Sequence, residues 1–380
     1  MTGKTFAEFF AGIGLVRLGL EMAGWKAVFA NDIDQKKFEM YRDNFADAHG
    51  AYVVADVHHL QAAEVPSVTV ATASFPCTDL SLAGYRKGLA GTQSGAFWGF
   101  ARILDQMDGR RPPVVMIENV TGFLTSDGGR DFINAIACLN RLGYSCDAFL
   151  LDAVNFVAQS RPRLFVVGVH DVSVTWYRVQ VLATRDPRLR SPRLTELMTA
   201  RTGLRWTVLD IPPPPRREGC LVDIIETVPP DSNRWWSQDR VSYLLAQMSG
   251  RHRGVADVLM ASPTERYATV YRRVRYGKSM AELRTDGVAG CLRTPRGGSS
   301  RQILLVAGMG AVRARFMTPR EYARLMGAPQ YTINVPDNQA YFGFGDAVCV
   351  PVIQWIGQRV LNPLVDGVGL GTGNLVATPG

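Results

Sequence analysis

Between residues 5 and 169 the chain alternates short apolar runs with stretches whose apolar positions recur at helical spacing. The runs fall at residues 6–10, 27–30, 52–55, 68–73, 114–117, 146–151 and 163–169, and the amphipathic stretches at about 15–23, 35–44 and 130–142. This order predicts an α/β domain built on a doubly wound, mostly parallel sheet. The last two runs, separated by residues 152–161, predict an antiparallel hairpin at one edge. From about Trp176 the pattern gives way to proline-rich and turn-rich sequence, including Pro212-Pro213-Pro214-Pro215 and Val228-Pro229-Pro230, which marks a change of domain. A helix returns at residues 318–327, where Thr318 caps, Pro319 opens and Glu321 stands at the capping-box position. The reading is therefore a discontinuous first domain, 1–177 plus 330–380, and a smaller, irregular second one, 178–329. No internal repeat is visible.

Length agrees with two domains, because 380 residues exceed what one core normally holds. A hydrophobic content of 47% with 20% charged residues excludes a largely disordered chain. No apolar run approaches a membrane span, and the amino-terminal apolar stretch is broken by Glu8 and Arg17 without a signal-peptide pattern, so a cytoplasmic protein with no membrane partner is expected. The six cysteines (77, 138, 146, 220, 291 and 349) form no C-x-x-C pair and the five histidines are not spaced as partner ligands. Neither a disulfide framework nor a metal site is indicated.

Charge is unevenly distributed along the chain. The net charge is +8, but residues 178–301 alone carry a surplus of ten positive charges while the remainder is slightly acidic. All but one of those basic residues (Lys278) are arginines, interleaved with Trp235, Trp236, Tyr267, Tyr271 and Tyr276. Arginine forks suit phosphate oxygens and guanine edges, and phosphate contacts supply most sequence-independent affinity for nucleic acid. A solvated basic surface is the plainer alternative.

Candidate chemistry stands beside that segment. Cys77 lies in Ser74-Phe75-Pro76-Cys77-Thr78-Asp79-Leu80-Ser81 after one apolar run, and Glu118-Asn119-Val120 follows another. Both belong at the carboxyl edge of a parallel sheet, where open α/β sheets bind ligands. A thiol reacts as its thiolate, Pro76 gives it a rigid approach, and a carboxylate opposite could bind or protonate a ring nitrogen. A buried cysteine and a solvated strand-end acid are the bland alternatives, against which stand the small polar neighbours of Cys77 and the glycine-punctuated run to Gly95. Near the start, Phe10-Ala11-Gly12-Ile13-Gly14 follows a strand and precedes a helix, with Arg17 where a third dinucleotide glycine would stand. Asp32, twenty residues after Gly12, and Asp34 close the second strand where a ribose would lie, and Asp56 after the third could accept from an adenine amino group. With no Lys-Ser/Thr after the glycines, an adenosyl ligand without a triphosphate remains. The alternative is a tight glycine turn with capping acids.

These residues together resemble the bacterial DNA (cytosine-5)-methyltransferase family. Phe10-Ala11-Gly12-Ile13-Gly14 matches its first motif, Phe75-Pro76-Cys77 its nucleophile motif, Glu118-Asn119-Val120 its acid motif and Gln159-Ser160-Arg161-Pro162-Arg163 its Q-x-R-x-R motif. The stretch from Arg315 to Glu321 and Gly345-Asp346-Ala347-Val348 look like the last two, in the expected order. The resemblance implies the class I S-adenosylmethionine-dependent methyltransferase fold, with S-adenosyl-L-methionine as cofactor and 178–329 as target-recognition domain. It assigns Cys77 as nucleophile toward cytosine C6, with Glu118, Arg161 and Arg163 as the other catalytic residues. Cofactor contacts are carried over to Phe10, Gly12, Gly14, Asp32, Asp56, Pro76 and Asp346. DNA contacts fall on Ser81, Arg86 and Lys87, in a segment (79–98) that closes behind a flipped base, and on Arg296, Gly297, Gly298 and Ser299. Double-stranded DNA is the implied partner, with a cognate restriction endonuclease or defence-system proteins beside it. Two positions depart from the family's habit: Thr78 replaces a frequent glutamine, and Asp346 replaces the usual asparagine, swapping an amide donor for a carboxylate. An RNA cytosine methyltransferase would share fold and thiolate, although the arginine-rich segment suits duplex DNA. A non-enzymatic DNA-binding regulator would be expected to lack Cys77 or Glu118, and a nicotinamide dehydrogenase is disfavoured by Arg17.

Overall fold

The structure is a computed structural model describing residues 3–76, 95–170, 182, 185–201, 203–275, 277–295 and 300–367. Seven strands form its main sheet: β1 (Thr5–Phe9), β2 (Lys26–Asp32), β3 (Tyr52–Val54), β4 (Val70–Ala73), β5 (Val114–Val120), β6 (Tyr144–Asp152) and β7 (Pro162–His170), in the order β3-β2-β1-β4-β5-β7-β6. Neighbours are parallel except where β7 runs against β5 and β6, so the hairpin read from residues 146–169 is present at the edge. Side chains alternate between two cores, and for that reason the strands read as continuous apolar runs. Val115 and Ile117 face one core, with Phe97, Phe100 and Leu104 of α4 (Ala96–Gln106) and Phe132, Ile136 and Leu139 of α5 (Arg130–Arg141). Val114 and Met116 face the other, with Val16 and Leu20 of α1 (Leu15–Met22) and Val352, Ile353 and Ile356 of α11 (Val350–Ile356). Helices α2 (Gln35–Arg42) and α3 (Ala48–Ala51) lie on the β2–β3 side, and α12 (Asn362–Gly367) follows α11.

The segment read as turn-rich holds a second, regular sheet: β8 (Arg266–Arg275), β9 (Lys278–Arg284), β10 (Ile303–Gly308) and β11 (Ala311–Phe316), antiparallel throughout in the order β11-β10-β8-β9. Ala268, Val270, Ala281, Leu283, Ile303 and Leu305 pack on α7 (Gln238–Ala246) and α8 (Gly250–Met260). Arginines occupy many of the remaining strand positions, and their charge conceals the two-residue period. The proline tract at 212–215 has neither helix nor strand.

Two packing facts bear on the domain division read from composition. Helix α6 (Pro192–Thr199) and residues 206–211 pack into the cores of the first sheet through Leu194, Leu197, Trp206, Val208 and Ile211. Arg190 seals the contact with a buried ion pair to Asp147 of β6 at 2.5 Å. The two sheets meet through a third cluster, in which Ile13, Leu15 and Met40 join Leu292, Leu304, Tyr322 of α9 (Pro319–Leu325) and Phe344 of α10 (Asp337–Asp346). Among the described residues no helix is long and apolar enough to cross a membrane, and no group of side chains could hold a metal ion.

Candidate active site

The strand order makes the site. The chain leaves β1 for β2 and β3 on one side, then returns to β4 on the other, so a topological switch point opens between the carboxyl ends of β1 and β4. Register aligns Phe9 with Ala73 and Ala73 with Ile117, placing the next residues Phe10, Ser74 and Glu118 in one row across three strands. The first begins the glycine turn, the second leads through Phe75 and Pro76 into Cys77, and the third is the candidate acid. Cys77 lies outside the described residues, as do Ser81, Arg86, Lys87, Arg296, Gly297, Gly298 and Ser299.

Glu118 is inside β5, which runs on to Val120 because β7 pairs with it there. It is buried, and its Oε1 lies 2.9 Å from Nε of Arg163. Burial raises its pKa above the ordinary carboxylate range, against the opposing pull of Arg163, Arg161 and a hydrogen bond from Ser74. Asn119 turns its amide back to the Phe75 carbonyl, tying the end of β5 to the approach to Cys77. Arg161 differs from Arg163: it is buried, with Nη1 on the Leu292 carbonyl (2.7 Å) and Nη2 on those of Gly345 (3.1 Å) and Ala347 (2.6 Å). Gln159, also buried, donates to the Leu325 carbonyl and accepts from Leu292 N. Two side chains of the Q-x-R-x-R stretch thus clamp the last motif and the loop at 291–292, and the third holds the acid.

The glycine turn bends through positive φ at Phe10, Gly12 and Gly14, for different reasons. A Cβ on Gly14 would collide with Phe45 and Tyr41, so this glycine admits close packing. A Cβ on Gly12 would meet only Lys37, at 3.8 Å, so the turn is open on that side. Asp32 fixes it, accepting from Gly12 N and Asp34 N at 2.9 Å each, while Asp34 caps α2. Asp56 accepts from His58 N through one oxygen.

Likeness to known proteins gives the family and the fold. Residues 4–362 match the family described as C-5 cytosine-specific DNA methylase. The chain belongs to that family. It is similar to the Type II methyltransferase M1.ScrFI of Lactococcus lactis subsp. cremoris (27% identity, covering 94% of this chain and 78% of the relative). It is also similar to the Type II methyltransferase M.HhaI of Haemophilus parahaemolyticus (26%, covering 95% of each). In fold it is similar to the S. pombe Dnmt2 methyltransferase (TM-score 0.60, 17% identity, 95% and 99% of the two chains). The Entamoeba histolytica methyltransferase EhMeth gives a TM-score of 0.63 at 14% identity, over 96% and 99%.

A C-5 cytosine-specific DNA methylase takes its methyl group from S-adenosylmethionine, and the residues here fit that cofactor. The turn is open at Gly12, and beside Asp32 the side chain of Ile33 stands 66% exposed, an apolar platform of the kind an adenine ring covers. Sequence reading missed Ile33, whose signal was an apolar residue between two acids. Pro76 is exposed at the facing edge. Asp346 ends α10 and its Oδ2 lies 2.9 Å from Nζ of Lys37 on α2.

Proposed function

We propose that this DNA cytosine-5 methyltransferase modifies a flipped-out cytosine within a specific sequence of double-stranded DNA, through a covalent bond between Cys77 and C6. The alignment of Phe10, Ser74 and Glu118 supports this reading, because it sets the acid beside the strand that delivers Cys77. Cytosine C5 is a poor nucleophile. Addition of the Cys77 thiolate to C6 pushes electrons toward N3, where Glu118 supplies its proton, and leaves an enamine with its electron density at C5. The raised pKa of Glu118 extends the range over which that proton is present. Arg163 holds the carboxyl group in place and stabilises its charge once the proton has gone. Phe10, Gly12, Asp32, Ile33, Asp56 and Pro76 would hold the cofactor, which when bound supplies a sulfonium methyl as electrophile. Loss of the C5 proton to a water molecule, with the N3 proton returned to Glu118, then expels the Cys77 thiolate and restores the ring. Such chemistry requires the base to leave the stack.

The arginine-rich segment, 178–329 in the division by composition, is the target-recognition part, and Ser81, Arg86, Lys87 and residues 296–299 contact DNA. The enzyme works in the cytoplasm, in restriction-modification or phage defence, with a companion endonuclease as the natural partner. Methylation-resolved sequencing of plasmid DNA from cells expressing the wild type or Cys77→Ala tests the scheme. The expected result is 5-methylcytosine in one short sequence context from the wild type alone. Marks from Cys77→Ala would sink the covalent step, and marks on tRNA but not on DNA would overturn the substrate.

A further inference from the structure

A cavity of about 290 Å³ opens between the strands β8 and β9 and the loop at 290–293, with Thr269, Tyr271, Arg273, Cys291, Arg293 and Gln302 in its wall. Gln302 is the unusual member. It is fully buried and its backbone is satisfied by Tyr322 Oη and Met317 N, yet among the described residues neither its Oε1 nor its Nε2 has a hydrogen-bond partner. A Cβ on Gly290 would come within 3.1 Å of that Nε2, so the glycine keeps the space beside the amide open. A buried amide without partners is costly in a folded protein and is tolerated where something else completes it.

The arginines around this amide are not equivalent. Arg273 is paired with Glu282, and Arg284, also at the cavity, is doubly bonded to Asp286. Arg293 is exposed, lies with its guanidinium 5.5 Å from the Tyr271 ring centre, and has no carboxylate partner among the described residues. Its fork of donors is therefore available. The cavity also adjoins the catalytic centre: the Cys291 thiol lies 3.3 Å from Nη1 of Arg161 and 4.0 Å from Nη2 of Arg163, the residue that holds Glu118.

A free guanidinium fork next to an unsatisfied amide complements the major-groove edge of a G·C pair, where guanine offers two acceptors and cytosine an amino donor. We propose that this cavity reads one G·C pair next to the target cytosine, Arg293 donating to guanine O6 and N7 and the Gln302 amide, directly or through one water, meeting the paired cytosine. The proposal rests on the duplex-DNA reading above and adds the residues that set specificity at one position.

Gln302→Met and Arg293→Met test it. The first replaces two unpartnered polar atoms at similar volume and the second changes an exposed side chain, so both proteins are expected to melt close to the wild type. Methylation-resolved sequencing should show that each variant loses discrimination at the same single G·C position, by roughly tenfold or more, while other positions of the marked sequence are kept. An unchanged marked sequence in Gln302→Met would overturn the proposal. So would relaxation at an A·T position, or a uniform loss at all sites with a weaker salt dependence in Arg293→Met, the signature of a phosphate contact. Absence of any mark from the wild type would instead refute the duplex-DNA reading, and the proposal with it.

Discussion

Arg163–Glu118 at the end of the first sheet and Arg315–Glu321 between β11 and α9 join the same two residue types at similar distances, 2.9 Å in one and 2.6 and 2.8 Å in the other. Their surroundings differ. Both side chains of the second pair are 0% exposed, and Glu321 is saturated: one oxygen accepts from Arg315 and Glu226 N, the other from Arg315 and Thr318 N in the capping box of α9. Glu118 meets Arg163 and takes a hydrogen bond from Ser74, in the row of residues at the carboxyl ends of β1, β4 and β5. A saturated carboxylate has no lone pair left for a substrate and serves as a rivet between the second sheet and the last helices. On the proposed mechanism Glu118, with fewer bonds to the fold, keeps capacity for the substrate. Identical residue types would thus take opposite uses according to how many of their bonds the fold consumes.

That contrast can be broken experimentally. Glu321→Gln leaves Arg315 buried without its counter-charge and should cost about 3–5 kcal/mol of stability, read by denaturant unfolding, with methyl transfer per folded molecule unchanged. Arg163→Met should leave stability closer to the wild type and cut transfer about tenfold to a hundredfold. The same variant has a signed pH effect. Arg163 favours the ionised form of Glu118, so its removal pushes an already raised pKa higher, and the limb on which activity falls as the proton is lost should move to higher pH in a rate profile. Asp346→Asn should have the smallest effect. Its own side chain is half open to solvent, so calorimetric titration with the cofactor should show a change within about 1 kcal/mol.

Much of the first sheet was legible because strands buried on both faces, such as those around Val114 to Ile117, cannot hide their apolar runs. The hairpin at 144–170 and the capping box at Thr318 were legible for local reasons. Helix α4 was not, since its start adjoins a glycine-punctuated run that reads as loop. The second sheet was masked by arginines within its strands, such as Arg272, Arg273 and Arg275 of β8. At the site, motif spacing could name Glu118, Arg161 and Arg163 but not divide them: that Arg161 is consumed by three carbonyls while Arg163 reaches the acid depends on contacts with residues 292 and 345–347, far away in the chain. The Lys37–Asp346 pair and the unpartnered Gln302 amide are invisible for the same reason, being properties of packing between distant segments.

On the proposed mechanism Glu118 acts on the substrate where Glu321 only holds the fold. The direct measurement is single-turnover methyl transfer to cognate duplex DNA by purified Glu118→Gln, normalised to folded protein, with the melting midpoint measured on the same sample. The predicted result is a loss of about a hundredfold or more in rate with a midpoint near that of the wild type. A rate per folded molecule equal to the wild type would contradict it.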